Sequence, residues 1–104
     1  MNELEQVCFQ IISTVGNARS FYVEAIRTAK NGDIEEANRL LQEGKEAFVQ
    51  GHHAHFELIQ QEANGKQIEF SLLLLHAEDQ LMSAESFGIL AEDFIELYKR
   101  TIIK

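Results

Sequence analysis

His76 and Asp79 are the residues of this 104-residue chain whose types and spacing are best suited to chemistry. They lie in the segment Ser71-Leu72-Leu73-Leu74-Leu75-His76-Ala77-Glu78-Asp79-Gln80-Leu81-Met82. At i, i+3 on a helix they share a face. Successive helical side chains stand about 100° apart, so the four leucines directly ahead of His76 cover most of a helix's circumference. One helix of a small bundle normally buries a single stripe. Leu72 to Leu75 therefore predict a second apolar surface, covered by another subunit. An imidazole and a carboxylate at the edge of such a seam are costly unless paired, metal-bound or used. A neutral imidazole is a good nitrogen nucleophile near pH 7, and a neighbouring carboxylate orients it or adjusts its basicity. On residue types alone, a lone histidine at the edge of an apolar face is more often structural.

The other histidines, His52, His53 and His55, cluster further up the chain. His52 and His55 stand at i, i+3 and could share a metal with a third ligand. Helical zinc sites, however, usually pair histidines at i, i+4 and add a carboxylate. His53 and His55 are accordingly read as surface or interface residues. Arg19 could bind phosphate or pair with a carboxylate, and a structural salt bridge is the expected role. Glu35-Glu36 and Glu92-Asp93 read as solvated faces. The chain has no Glu-x-x-His pair of the di-metal bundle type, and no glycine-rich nucleotide loop.

Three helices must position these groups. Leu4, Val7, Cys8, Ile11, Ile12, Val15, Tyr22, Ala25, Ile26 and Ala29 recur at helical spacing, predicting one helix from about Glu3 to Lys30. Gly16 interrupts it at a cost of about 1 kcal/mol relative to alanine, which invites either a close approach to a neighbouring helix or a tolerated weak spot. Asn31-Gly32 is a stop signal. Asp33 caps a second helix, with Glu36 completing a box-like start. Its stripe is Ile34, Ala37, Leu40, Leu41, Gly44, Ala47, Phe48, Gly51, Leu58 and Ile59, and Gly44 and Gly51 would let another backbone come close. Asn64-Gly65 ends it. The third helix is expected from about Glu69 to Ile102, with small residues after the motif (Ala77, Ser83, Ala84, Ser86, Gly88, Ala91) suited to tight packing. Short turns force the three to run up, down and up. The fold class is all-α, an antiparallel three-helix bundle filling residues 1–104 as one domain.

Composition narrows the function. Hydrophobic residues make up 45% of the chain, proline is absent, and the formal net charge is -8. Such a charge disfavours nucleic acid and anionic lipid as partners and is compatible with a basic protein partner. The core is modest for so small a body, so oligomerisation would add burial. The single cysteine, Cys8, permits no intrachain disulfide and reads as a small buried hydrophobe. The acidic start Met1-Asn2-Glu3-Leu4-Glu5 is unlike a signal peptide, and no apolar run approaches the roughly 20 residues that span a bilayer. A cytoplasmic protein without membrane insertion is expected.

The segment from the leucine run through His76-Ala77-Glu78-Asp79-Gln80-Leu81-Met82 resembles the lactose/cellobiose-type enzyme IIA of the phosphoenolpyruvate-dependent sugar phosphotransferase system. The pattern there is an aliphatic run followed by His-Ala-Glu/Gln-Asp-His/Gln-Leu-Met. Gly16-Asn17-Ala18-Arg19-Ser20 is similar to the family's first-helix motif. Glu24-Ala25-Ile26 through Ala29-Lys30-Asn31-Gly32-Asp33 follows at the family's spacing, and Glu92 to Arg100 looks like its last helix. The resemblance implies a homotrimer in which His76 accepts a phosphoryl group from the carrier protein HPr and passes it to a cysteine of the sugar-specific IIB component. A β-linked disaccharide of the cellobiose, chitobiose or lactose type is then phosphorylated during uptake. It also implies that Asp79 from three subunits converges on the three-fold axis around a divalent cation. Three facing carboxylates repel unless a cation joins them, and all-oxygen ligation favours Mg²⁺, one per trimer. The chain departs from the family at Gln80, where many relatives carry a second histidine; glutamine hydrogen-bonds but carries neither charge nor phosphate. His52 matches the histidine of a His-x-x-Gln-Thr pattern, while His55 and Phe56 replace its Gln-Thr. A helical oligomer serving as a non-enzymatic adaptor is the alternative, and the His76-to-Met82 segment argues against it, since an adaptor has no use for it. A histidine-based metal binder built on His52 and His55 is a third reading.

Overall fold

The computed structural model describes residues 1–102, in three helices: α1 (Glu3–Lys30), α2 (Ile34–Ala63) and α3 (Leu72–Ile102). Antiparallel neighbours of nearly equal length form a rod of 56 × 24 × 19 Å. Each chain reversal has a local cause. Helix α1 opens on a full capping box at Asn2 and Glu5, each side chain bonding the other's backbone N–H. It closes at Asn31, with Gly32 at φ 97°. The Asp33 N–H donates to the Thr28 carbonyl and that of Gly32 to Ala29, the paired bonds of a Schellman turn. The same pair recurs after α2: Gly65 has φ 93°, with Lys66 N–H donating to Gln61 and Gly65 N–H to Glu62. An L side chain at either glycine would be strained.

Asp33 caps α2 by accepting from Glu36 N–H at 3.1 Å. The expected box is only half formed, because the Glu36 carboxylate turns to Arg39, 2.6 Å away. That guanidinium also holds the Glu36 carboxyl below its usual range. Helix α3 begins three residues later than Glu69. Ser71 sets the boundary: its hydroxyl accepts from Leu74 N–H at 3.0 Å, satisfying one of the free donors of the first turn. A serine immediately before an apolar run is the sequence signal for such a start.

The core divides into two clusters along the rod. Cys8, Ile11, Val15, Ala54, Leu58, Ala77, Leu81 and Ala84 fill one end. Ala18, Tyr22, Ala25, Ala29, Ala37, Leu40, Leu41, Ala91 and Ile95 fill the other, and Phe48 packs on both. His76 is therefore carried at the end built around Cys8 and Ile11. Burial pushes the Cys8 thiol up, helped by the charges of Glu78 and Glu5, and it is fully buried. Ile59, assigned to the buried stripe of α2, is 47% exposed.

The glycines do not do what spacing alone predicts. Gly44 and Gly88 flank the buried Tyr22 ring, where a Cβ would come to 2.5 Å and 2.9 Å of ring carbons. A Cβ on Gly51 would meet Val15 and Thr14 side chains at 2.5 and 2.6 Å. The space is filled first by side chains of α1, and at Gly51 the Ile11 backbone carbonyl also comes to 3.6 Å of the added Cβ. A Cβ on Gly16 would meet nothing within 4 Å, so this glycine is a weak spot and not a packing contact within the bundle. Gly44→Ala should destabilise the fold by about 1 to 3 kcal/mol, because Tyr22 is held on both sides and cannot yield. Gly16→Ala should stabilise α1 by about 0.5 to 1 kcal/mol. Urea titration of both variants checks the opposite signs, Gly16→Ala being read with the oligomeric state held constant.

Candidate functional site

Helix α3 is apolar on two opposite faces. One packs into the bundle through Ala77, Leu81, Ala84, Ala91 and Ile95. The other is unpartnered: Leu72, Leu75, Met82, Ile89, Leu90 and Leu97 are between 49% and 79% exposed. The leucine run is shared between these surfaces, with Leu73 and Leu74 half-buried against α1 and α2 and Leu72 and Leu75 turned outward. At about 100° per residue, Leu72, Leu90 and Leu97 fall within about 20° of Asp79 around the helix axis. Leu75 and Met82 fall within about 60° on one side. Asp79 thus sits at the centre of the outward apolar face, and it is exposed. His76 lies about 60° to the other side, on the rim, and is also exposed.

The i, i+3 relation predicted for His76 and Asp79 is present, but no hydrogen bond joins the two side chains among the described residues. An exposed imidazole keeps a ring nitrogen available as a nucleophile. Asp79 is a carboxylate flanked by apolar residues on this face, and the exposed Asp93 further along α3 falls within about 40° of it. No three His, Cys, Asp or Glu side chains come together to hold a metal among the described residues of one chain. The carboxylate oxygens of Asp79 are donors of the kind a hard cation prefers.

The α2 histidines separate from one another. His52 is exposed and its ring lies 5.8 Å from that of Phe48. His53 faces solvent and pairs with Glu57 at 3.2 Å on its own helix. His55 is drawn inward, where its Nε2 lies 2.6 Å from Glu78 Oε1 on α3. Spacing alone makes His55 a surface or interface residue and gives Glu78 no role. Their pairing is a tertiary event between positions 23 apart. The one signal in the sequence is that His55 replaces the glutamine of the family pattern. Arg19 forms no ion pair among the described residues, so the expected salt bridge is absent. No helix is long and apolar enough to cross a membrane among the described residues.

The structure is thus a three-helix rod whose unpartnered apolar face has a carboxylate at its centre and a histidine on its rim. Residues 6–99 match the family model described as PTS system, Lactose/Cellobiose specific IIA subunit. The chain belongs to that family, whose members are phosphotransferase components of sugar uptake. It is 48% identical over 98 residues to the lichenan-specific phosphotransferase enzyme IIA component of Bacillus subtilis, covering 94% of this chain and 89% of that protein. The crystal structure of the cellobiose-specific enzyme IIA from Bacillus anthracis superposes with a TM-score of 0.97 at 47% identity, covering 100% of this chain and 95% of that one. The IIA(Chitobiose) of Escherichia coli, solved in solution in complex with HPr, gives a TM-score of 0.82 at 31% identity over 97% of this chain and 98% of that one. These likenesses agree with the all-α three-helix fold read from the periodicity.

Proposed function

We propose that this chain is a phosphocarrier that accepts a phosphoryl group on His76 from phosphorylated HPr and passes it to a cysteine of a IIB component. The observation that carries the reading is His76 itself. It is exposed on the rim of the unpartnered face of α3, within the His76-to-Met82 motif, in a chain of the IIA family. The solved complex of the Escherichia coli relative with HPr supports HPr as donor. In the transfer, a neutral ring nitrogen of His76 attacks phosphorus; the bond from phosphorus to the donor atom of HPr breaks as the new N–P bond forms. The same bond breaks when the IIB thiolate attacks. Between the two steps the protein's work is to present the imidazole and exclude competing contacts. A β-linked disaccharide or a related glycan fragment is the sugar class supported by the lichenan- and cellobiose-specific relatives. The carrier would act in the cytoplasm.

The chain functions as a homotrimer in this reading, with the outward faces of three α3 helices packed on one axis. The exposed leucines, Met82 and Ile89 supply the apolar surface. Asp79, at the centre of that face, would be held with its two counterparts by Mg²⁺, which when bound supplies the positive charge that offsets three carboxylates. Incubation with phosphoenolpyruvate, enzyme I and HPr should add one acid-labile phosphoryl mass per chain, mapped by peptide sequencing to His76. Sedimentation equilibrium should give three times 11.9 kDa at micromolar concentration. A phosphoryl group on another residue would overturn His76 as the acceptor, and a monomer would overturn the trimer.

A further inference from the structure

We propose that His55 and Glu78 form a positioning pair that sets the orientation of the α3 turn carrying His76. The inference deepens the phosphocarrier reading and rests on His76 being the acceptor. His55 Nε2 lies 2.6 Å from Glu78 Oε1. A carboxylate acceptor requires that nitrogen to carry the proton. Only 17% of the His55 side chain and 39% of that of Glu78 remain exposed. Among the described residues one other side-chain bond crosses between helices, Lys45 to Glu92 at 3.3 Å, and it is solvent-exposed. Both join α2 to α3, the pair of helices with the thinnest packing. Burial pushes the Cys8 thiol of α1 up, and the charge of Glu78 adds to that shift.

Glu78 stands two residues beyond His76, about 160° around the helix from it. The two side chains therefore occupy opposite flanks of one turn. Tethering one flank to α2 fixes the rotation of the turn and so the direction in which the imidazole projects. This matters because the turn otherwise has little to hold it. Leu72 and Leu75 face outward on the first two turns of α3, and the inward packing there falls to Leu73, Leu74 and Ala77. In-line transfer to the imidazole is sensitive to such orientation. His55 supplies here the donor that a glutamine would supply in the family pattern, and its ring lends the tether a rigid plane.

The test compares His55→Ala, His55→Gln, Glu78→Ala and the double variant His55→Ala with Glu78→Ala. The rate of His76 phosphorylation by phosphorylated HPr is followed in single turnovers, with its dependence on HPr concentration. His55→Ala should slow transfer about 10-fold, with half-saturation by HPr changed less than about twofold. His55→Gln should restore the rate to within about threefold of wild type, since its amide can donate to the same carboxylate. The double variant should be no slower than either single one, because both remove one contact. Amide hydrogen exchange gives the second readout: residues Leu75 to Asp79 should exchange faster in His55→Ala and not in His55→Gln. Equal impairment of His55→Ala and His55→Gln, additive losses in the double variant, or wild-type exchange and rate in His55→Ala would each overturn the positioning pair. Were the phosphoryl group on another residue, the reading of His76 as acceptor would fall by itself, and exchange at Leu75 to Asp79 would still decide whether His55 orders that turn.

Discussion

Replacing His76 by alanine is expected to reduce phosphoryl uptake to background, a loss on the order of 10³-fold or more, because the covalent acceptor itself is removed. No neighbour can take its place. Gln80, one turn on, hydrogen-bonds but forms no phosphoramidate at neutral pH. His52, His53 and His55 belong to α2, and of these His55 hydrogen-bonds to α3, where its ring nitrogen is already engaged by Glu78. His52→Ala and His53→Ala should therefore keep uptake within about twofold of wild type. The His76 side chain is exposed, so its removal leaves the core untouched and circular dichroism should be unchanged. Acid-labile mass increase after incubation with phosphoenolpyruvate, enzyme I and HPr measures all three variants in one experiment. Full labelling of His76→Ala would transfer the acceptor role to an α2 histidine.

Most of the helical architecture is legible in the sequence because it is written in local chemistry. Two Asn-Gly pairs place the left-handed residues that end α1 and α2, and Asp33 marks the start of α2. The α3 start falls three residues beyond its expected place, since Glu69 and Phe70 satisfy helical composition and only the Ser71 hydroxyl decides between cap and helix. The glycines mark the limit of spacing arguments. A stripe position shows that a residue faces a neighbour, not whether backbone or side chain fills the gap, and Tyr22 between Gly44 and Gly88 cannot be foreseen from either helix alone.

The candidate site is legible to a different depth. Four consecutive leucines imply the two-faced character of α3, which the exposed Leu72 and Leu75 bear out within one chain. The i, i+3 pair His76 and Asp79 follows from the same helix. The His55–Glu78 contact is beyond reach, because it depends on the rotation of α2 against α3, which neither periodicity nor capping specifies. Arg19 shows the opposite case, a charge assigned an ion-pair partner that it does not find among the described residues.

For the proposed trimer with a cation at its axis, chelation is expected to lower the melting temperature by roughly 5 °C. Asp79 sits at the centre of the outward apolar face of α3, flanked around the helix by Leu72, Leu75 and Met82. Three such carboxylates on one axis would repel in a poorly solvated seam. A cation bound at about 100 times its dissociation constant contributes about 2.7 kcal/mol to the assembled state, which chelator removes. At a few degrees per kcal/mol for an assembly of this size, the shift is readily measured by scanning calorimetry. Asp79→Leu tests the same physics from the other side. It removes the charge and the need for a cation, and it makes the apolar face continuous. Its trimer should persist, should melt at or above the wild-type temperature with Mg²⁺, and should ignore chelator. Phosphorylation of His76 in this variant should fall only as far as Asp79 helps set the geometry three residues away. A wild-type trimer whose melting temperature is indifferent to chelator, together with crystals grown in Mg²⁺ that show no density between the Asp79 carboxylates, would remove the cation from the axis. An Asp79→Leu chain that sediments as a monomer would show instead that the carboxylates themselves hold the assembly together.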